Sequence, residues 1–328
     1  MTSTATVHSE DRFSLALAAK ATTKPPPRLV LIGEPGIGKT SFATGAPGVI
    51  LVPTEDGALG VSVPRLPTKG KCMTWGELTH ALRVIAEGEH DYKWLCIDDL
   101  GGAQDLCAAH VCQRDFDNRW TTKKGAEGFD SYGKGDKATA MEMKHLLSLL
   151  DELQQRRGMG VILTCHVGLQ RQGNALGADF HKFSGELNKH TWATVCGWAD
   201  QVGFACRDIR ASTREGENKA KAKAVGSERW IVFEGGPGLD AKSRAGYEMP
   251  ERILLSWEEY EKSLSADYLG ELVNQAADQI KAASDEVRET ISKKLGGTAT
   301  KKRLRAVGTQ KLTATINWLL SMQQTEKK

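Results

Sequence analysis

Gly33-Glu34-Pro35-Gly36-Ile37-Gly38-Lys39-Thr40-Ser41 carries the clearest chemistry in this sequence, because it sets glycines, a lysine and a hydroxyl at the spacing Gly-x-x-x-x-Gly-Lys-Thr. Glycines at 33, 36 and 38 allow the backbone to curl until successive N–H groups point inward at a triphosphate. Lys39 would then reach the β and γ phosphates and Thr40 would ligate Mg²⁺. The context required of such a loop is present. The apolar run Leu29-Val30-Leu31-Ile32 reads as a buried strand leading into it, and helix-compatible residues follow, whose positive dipole end faces the same anion. The expected cofactors are ATP and Mg²⁺.

A second chemical element is Asp98, which closes the apolar run Trp94-Leu95-Cys96-Ile97. The carboxyl ends of parallel strands converge on a ligand crevice, so a carboxylate there can hold Mg²⁺ opposite Thr40. Asp99 has two readings, polarising the attacking water or capping the following helix, and the cap is favoured. Cys107, His110 and Cys112 suggest a metal at first sight. They fall within a predicted helix over 103–113 and lack an evident fourth ligand, so no zinc site is expected.

These residues need a scaffold, and the elements around them supply one. Pro25-Pro26-Pro27 stiffens the approach to the first strand after a polar arm over 1–24. Further buried strands are predicted at 48–52, 93–97 and 160–164, with helices at 76–88 and 137–157 between them. Strands at 201–206 and 229–233 follow, and 228–249 has hairpin character through Gly235-Gly236-Pro237-Gly238. Helices separated by short apolar strands predict an α/β fold with a largely parallel sheet. From Trp257 the pattern turns helical, giving three expected segments: arm 1–24, ATPase core 25–256 and helical region 257–328. The 328 residues, 40% hydrophobic and 26% charged, can bury one large core with a small appendage. A net charge of +3 leaves any nucleic-acid surface to local clustering. No apolar run approaches membrane-spanning length and the polar start lacks a signal-peptide pattern, so a cytoplasmic protein without a membrane partner is expected. The seven cysteines form no C-x-x-C pair and read as reduced core thiols.

From this point the sequence resembles a known lineage. The strand at 48–52 followed by Thr54-Glu55-Asp56-Gly57 is similar to the strand-end glutamate of RecA-like ATPases, which orients the water attacking the γ-phosphate. The strand at 160–164 runs on into Cys165-His166, where RecA-like proteins carry a polar residue sensing that phosphate. Lys242-Ser243-Arg244 resembles the paired cations that hexameric RecA-fold ATPases insert into a neighbour's site. Over residues 28–256 the chain resembles phage-encoded RecA-like nucleotide-binding proteins, including Sak-type single-strand annealing ATPases. The resemblance implies a RecA-like P-loop core, Glu55 as the water-positioning residue, His166 as sensor, and self-association into a ring or filament. It also implies two DNA-facing loops, at 113–137 with Arg119, Lys123 and Lys124, and at 167–190 with Arg171, Lys182, Phe183 and Lys189. Cations interleaved with aromatics suit a phosphate backbone with stacked bases. The expected function is therefore an ATPase acting on single-stranded DNA in recombination or annealing, in a host cytoplasm. The alternatives are a DNA-dependent motor such as a helicase or helicase loader, or an ATP-gated scaffold binding a single-strand binding or replication protein.

Overall fold

The sheet is built on strands so apolar that both faces must be covered. In the first, β1 (Arg28–Gly33), Leu29 to Ile32 are fully buried. β2 (Val49–Pro53) and β3 (Trp94–Asp98) are buried at every position. The structure, a computed structural model, describes residues 25–58, 60–123, 127–174, 177–208, 210–212, 223–225, 228–264, 268–294, 297–301 and positions 304, 315, 316 and 319. The polar arm and Lys124 lie outside the described residues.

Five parallel strands form the centre in the order β6-β1-β4-β3-β2, where β4 is Gly160–Gln172 and β6 is Gln201–Arg207. Beyond β6 the sheet turns antiparallel through β9 (Arg229–Val232) and β11 (Arg252–Leu254). The hairpin expected over 228–249 is confined to its turn, where Gly236 and Leu239 exchange hydrogen bonds around Pro237-Gly238, because the short β10 (Lys242–Ser243) pairs with β6 rather than with β9. β5 (Phe180–Gly185) folds back on the far end of β4, and β7 (Arg210–Ser212) pairs with β8 (Lys223–Val225) as a separate ribbon.

Side chains alternate across this sheet. Val30, Ile32, Val52 and Ile97 face one layer made of α2 (Trp75–Glu87), α3 (Leu100–Phe116), α4 (Lys134–Arg157) and α5 (Lys189–Trp198). Leu29, Leu31, Leu51 and Cys96 face the other, which holds α1 (Lys39–Thr44) and α6 (Trp257–Leu264). Trp257 packs edge-on against Trp94 at 4.7 Å, so α6 shares the sheet's core although the helical pattern begins with it. A distinct cluster around Val273, Ile280, Val287 and Leu304 joins α7 (Tyr268–Ala282) and α8 (Asp285–Lys294). All seven cysteines are free, and five are buried. Among the described residues no helix is long and apolar enough to cross a membrane.

Candidate functional site

Strand register brings the predicted site together. Gly33 at the end of β1 is level with His166 on β4, and Pro53 at the end of β2 is level with Asp98 at the end of β3. The phosphate loop, Glu55, Asp98 and His166 therefore rise from one edge of the parallel sheet. Gly33 has no room for a side chain, since a Cβ there would lie 2.8 Å from the Ala205 carbonyl on the neighbouring β6. Gly38 has φ +113°, which disfavours any other residue.

Lys39 folds back into this loop. Its Nζ donates to the carbonyls of Gly33 at 2.9 Å and Glu34 at 3.1 Å, and lies 3.4 Å from His166 Nδ1. Burial lowers its pKa against the opposing pull of Asp99 and Asp98. Thr40 donates from Oγ1 to Asp98 Oδ2 at 2.7 Å, and the buried Thr164 hydroxyl donates to Asp98 Oδ1. Two hydroxyls from different elements thus fix the carboxylate expected to hold Mg²⁺.

Glu55 and Asp99 complete the cluster. Thr54 ties the two strand ends together, its N–H donating to the Asp98 carbonyl at 2.8 Å and its hydroxyl to the Asp99 carbonyl at 2.6 Å. This sets Glu55, the next residue, beside the end of β3. Asp99 caps α3 by accepting the Gly102 N–H at 2.8 Å through Oδ1, as the favoured reading has it. Its Oδ2 has a different environment: buried, without a hydrogen-bond partner and 3.7 Å from His166 Nε2. Glu55 Oε2 lies 3.7 Å from the same nitrogen. Burial, then the charge of Asp99 and Asp98, raises the Glu55 pKa, and burial raises that of Asp99.

Other candidates lie elsewhere. Lys242 donates to the Cys196 carbonyl, and Arg244 donates to the Gly197 carbonyl and lies 3.5 Å from Asp200 Oδ1. Both therefore satisfy the last carbonyls of α5. β10 pairs with Val202 and Gln201 at the beginning of β6, whereas Gly33 is level with Ala205. In its own chain the pair is at the sheet edge away from the phosphate loop.

The second of the two expected loops is mostly not a loop. β4 runs on past His166 to Gln172 and pairs antiparallel with β5, forming a hairpin, and α5 begins at Lys189. Phe183 is 47% exposed, opposite the 58% exposed Leu169, and stacks on Phe204 at 5.9 Å. Arg171 pairs with Asp179 at 2.9 Å and Lys182 with Asp240 at 2.5 Å, while Lys189 is exposed. In the first region, Arg119 pairs with Asp117 at 3.2 Å, Lys123 is exposed, and Trp120 packs on Phe129 at 4.9 Å. Cys107 and Cys112 are buried in α3, and the Cys107 thiol donates to the Thr139 carbonyl.

Sequence reasoning missed Thr54, Thr164 and the buried, open Oδ2 of Asp99 beside His166. It also missed Arg229, whose Nη1 donates to the Ile37 carbonyl of the phosphate loop at 3.1 Å. Only Asp99 had a local signal, as a second carboxylate at a strand end. Residues 25–245 match the family model of an AAA domain. No curated protein matches the chain.

Proposed function

The chain belongs to the AAA-domain family, which implies a nucleotide-binding P-loop ATPase, and from that premise we propose that it is a Mg²⁺-dependent ATPase acting on single-stranded DNA in recombination or strand annealing. The RecA-like resemblance in the sequence supports the finer part of this reading, including assembly into a ring or filament.

Mg²⁺ fits Thr40 Oγ1 and Asp98 Oδ2, two hard oxygen donors 2.7 Å apart on the loop and the opposing strand. When bound it neutralises charge developing on the transferring phosphoryl group. The chain's residues do the rest. Lys39 exchanges the Gly33 and Glu34 carbonyls for phosphate oxygens. Glu55 orients the attacking water and takes up its proton, a role suited to a carboxylate whose pKa is raised by burial and neighbouring charge. His166 contacts the γ-phosphate beside Lys39.

The observation that carries the DNA reading is the continuity of β4. His166 belongs to the same strand as Arg171, and the Glu186 N–H, just past β5, donates to the His166 carbonyl at 2.8 Å. A change at the γ-phosphate position therefore acts on both arms of the hairpin through one hydrogen-bonded ladder. The test is ATP turnover with and without single-stranded DNA, run beside annealing and unwinding assays. DNA-stimulated turnover with annealing supports the proposal. Unwinding assigns a motor, and absence of both stimulation and annealing assigns an ATP-gated scaffold.

A further inference from the structure

We propose that Glu55, Asp99 and His166 form a site for a divalent transition-metal ion, distinct from the Thr40–Asp98 oxygen pair and filled in the absence of nucleotide. One ligand atom from each of the three lies within 4.8 Å of the other two. His166 Nε2 is 3.7 Å from an oxygen of each carboxylate. Metal bonds of about 2.1 Å place neighbouring ligand atoms roughly 3 to 3.4 Å apart, so modest inward movement, mainly of the partly exposed Glu55, closes the set.

Asp99 is the independent sign of a missing partner. The residue is only 2% exposed, and its Oδ1 is committed to the Gly102 N–H, which fixes the direction of the carboxylate. The remaining Oδ2 is buried, accepts no hydrogen bond and faces the imidazole. A buried carboxylate oxygen left this way is costly unless something positive meets it.

The donor set selects the ion. One imidazole and two carboxylates suit Mn²⁺, Fe²⁺, Co²⁺ or Zn²⁺, whereas Mg²⁺ prefers all-oxygen coordination. The ring orientation agrees, since Nδ1 is on the Lys39 side and Nε2 faces the carboxylates. The adjacent Cys165 is fully buried in the apolar core beneath the helices and lies outside the set. An ion here recruits both Glu55 and His166 and so opposes turnover. This goes beyond the DNA-dependent reading and does not depend on it.

The experiment is Mn²⁺ binding to the full-length, nucleotide-free protein, followed by loss of the free-ion electron paramagnetic resonance signal in millimolar Mg²⁺. One equivalent that Mg²⁺ does not displace is expected. Glu55→Gln, His166→Ala and Asp99→Asn should each weaken it by about tenfold or more, and Thr40→Ala should leave it unchanged. Glu55 is the least buried of the three, so its variant decides the matter even if Asp99→Asn fails to fold. Absence of Mg²⁺-resistant binding overturns the proposal, as does binding that survives Glu55→Gln and His166→Ala. Loss in Thr40→Ala moves the ion to the Thr40–Asp98 pair and overturns it equally.

Discussion

Lys39 meets His166 at Nδ1 while Glu55 faces Nε2 of the same ring; on the proposed assignment of phosphate to Lys39 and water to Glu55, their loss should separate the two steps. Lys39→Ala should abolish nucleotide binding. Glu55→Gln should still bind ATP with Mg²⁺ and turn it over on the order of a hundredfold more slowly, the usual contribution of a positioned base. Titration of a fluorescent ATP analogue beside phosphate release measures both. Wild-type turnover in Glu55→Gln would transfer the water to Asp99, whose free oxygen lies equally near His166. The phosphate loop was legible in the sequence because its backbone demands restrict residue type at fixed spacing, as the φ of +113° at Gly38 illustrates. Thr54 and Thr164 were not legible. Their hydroxyls act on residues 45 and 66 positions away, and such partners are set by strand register, which no local pattern encodes.

Among the elements, β1 and β6 are fastened at their beginnings by Asp200. It accepts the Arg28 backbone N–H at 3.1 Å and the Arg28 guanidinium at 3.0 and 2.8 Å. Burial pushes the Asp200 pKa up, but these hydrogen bonds outweigh it and the net shift is downward. A depressed carboxylate contributes stability that is present above its ordinary value of about 3.9 and is lost as pH falls through the lower folded value, because there the unfolded chain binds the extra proton. Asp200→Asn should therefore lower stability at neutral pH and flatten its decline below about pH 4. Urea midpoints across a pH series test this, and an unchanged acid limb would place the acid sensitivity in other carboxylates. The hairpin of β4 and β5 yields a second expectation. Lys189 is exposed, whereas Lys182 is held by Asp240 at 2.5 Å. On a single strand, Lys189→Ala should thus reduce the slope of log affinity against log salt by about 0.7, with Lys182→Ala doing less. Phe183→Ala should cost roughly 1 to 3 kcal/mol with little change in slope, since stacking releases no counterions. Anisotropy of a labelled oligonucleotide distinguishes these effects, and normal binding by all three variants would remove the hairpin from the DNA surface. The sequence showed β4 only as far as its apolar half. Beyond Cys165 the residues are partly exposed and owe their strand state to β5 rather than to burial, so the pattern read as loop.

At the scale of the whole molecule the chain has two buried layers on one sheet and a separate apolar cluster in α7, α8 and the segments after them. The sheet edge of the proposed site carries Lys39, Asp98, Glu55 and His166, whereas Lys242 is level with Val202, three residues short of Ala205, the partner of Gly33, and Arg244 follows Ser243 still further from that level. Three strand residues span about 10 Å, too far for either side chain to serve its own phosphate loop while holding the end of α5. If the pair acts in catalysis it does so on a neighbouring subunit, where a cation on the transferring phosphoryl group can be worth on the order of a thousandfold in rate. Capping the Cys196 and Gly197 carbonyls is the competing role, and it affects stability by only about 1 kcal/mol. Mixing Arg244→Ala with Glu55→Gln subunits separates the two. Each variant alone should be nearly inactive. In a mixed assembly, an interface formed by an intact Glu55 from one subunit and an intact Arg244 from the other should regain turnover, rising with mixing ratio to a maximum near equal amounts. Subunit exchange is checked independently by fluorescence transfer between labelled chains. Exchange without rescue at any ratio, together with a lowered unfolding midpoint for Arg244→Ala, would assign the pair to the end of α5 alone and leave the site complete within one chain.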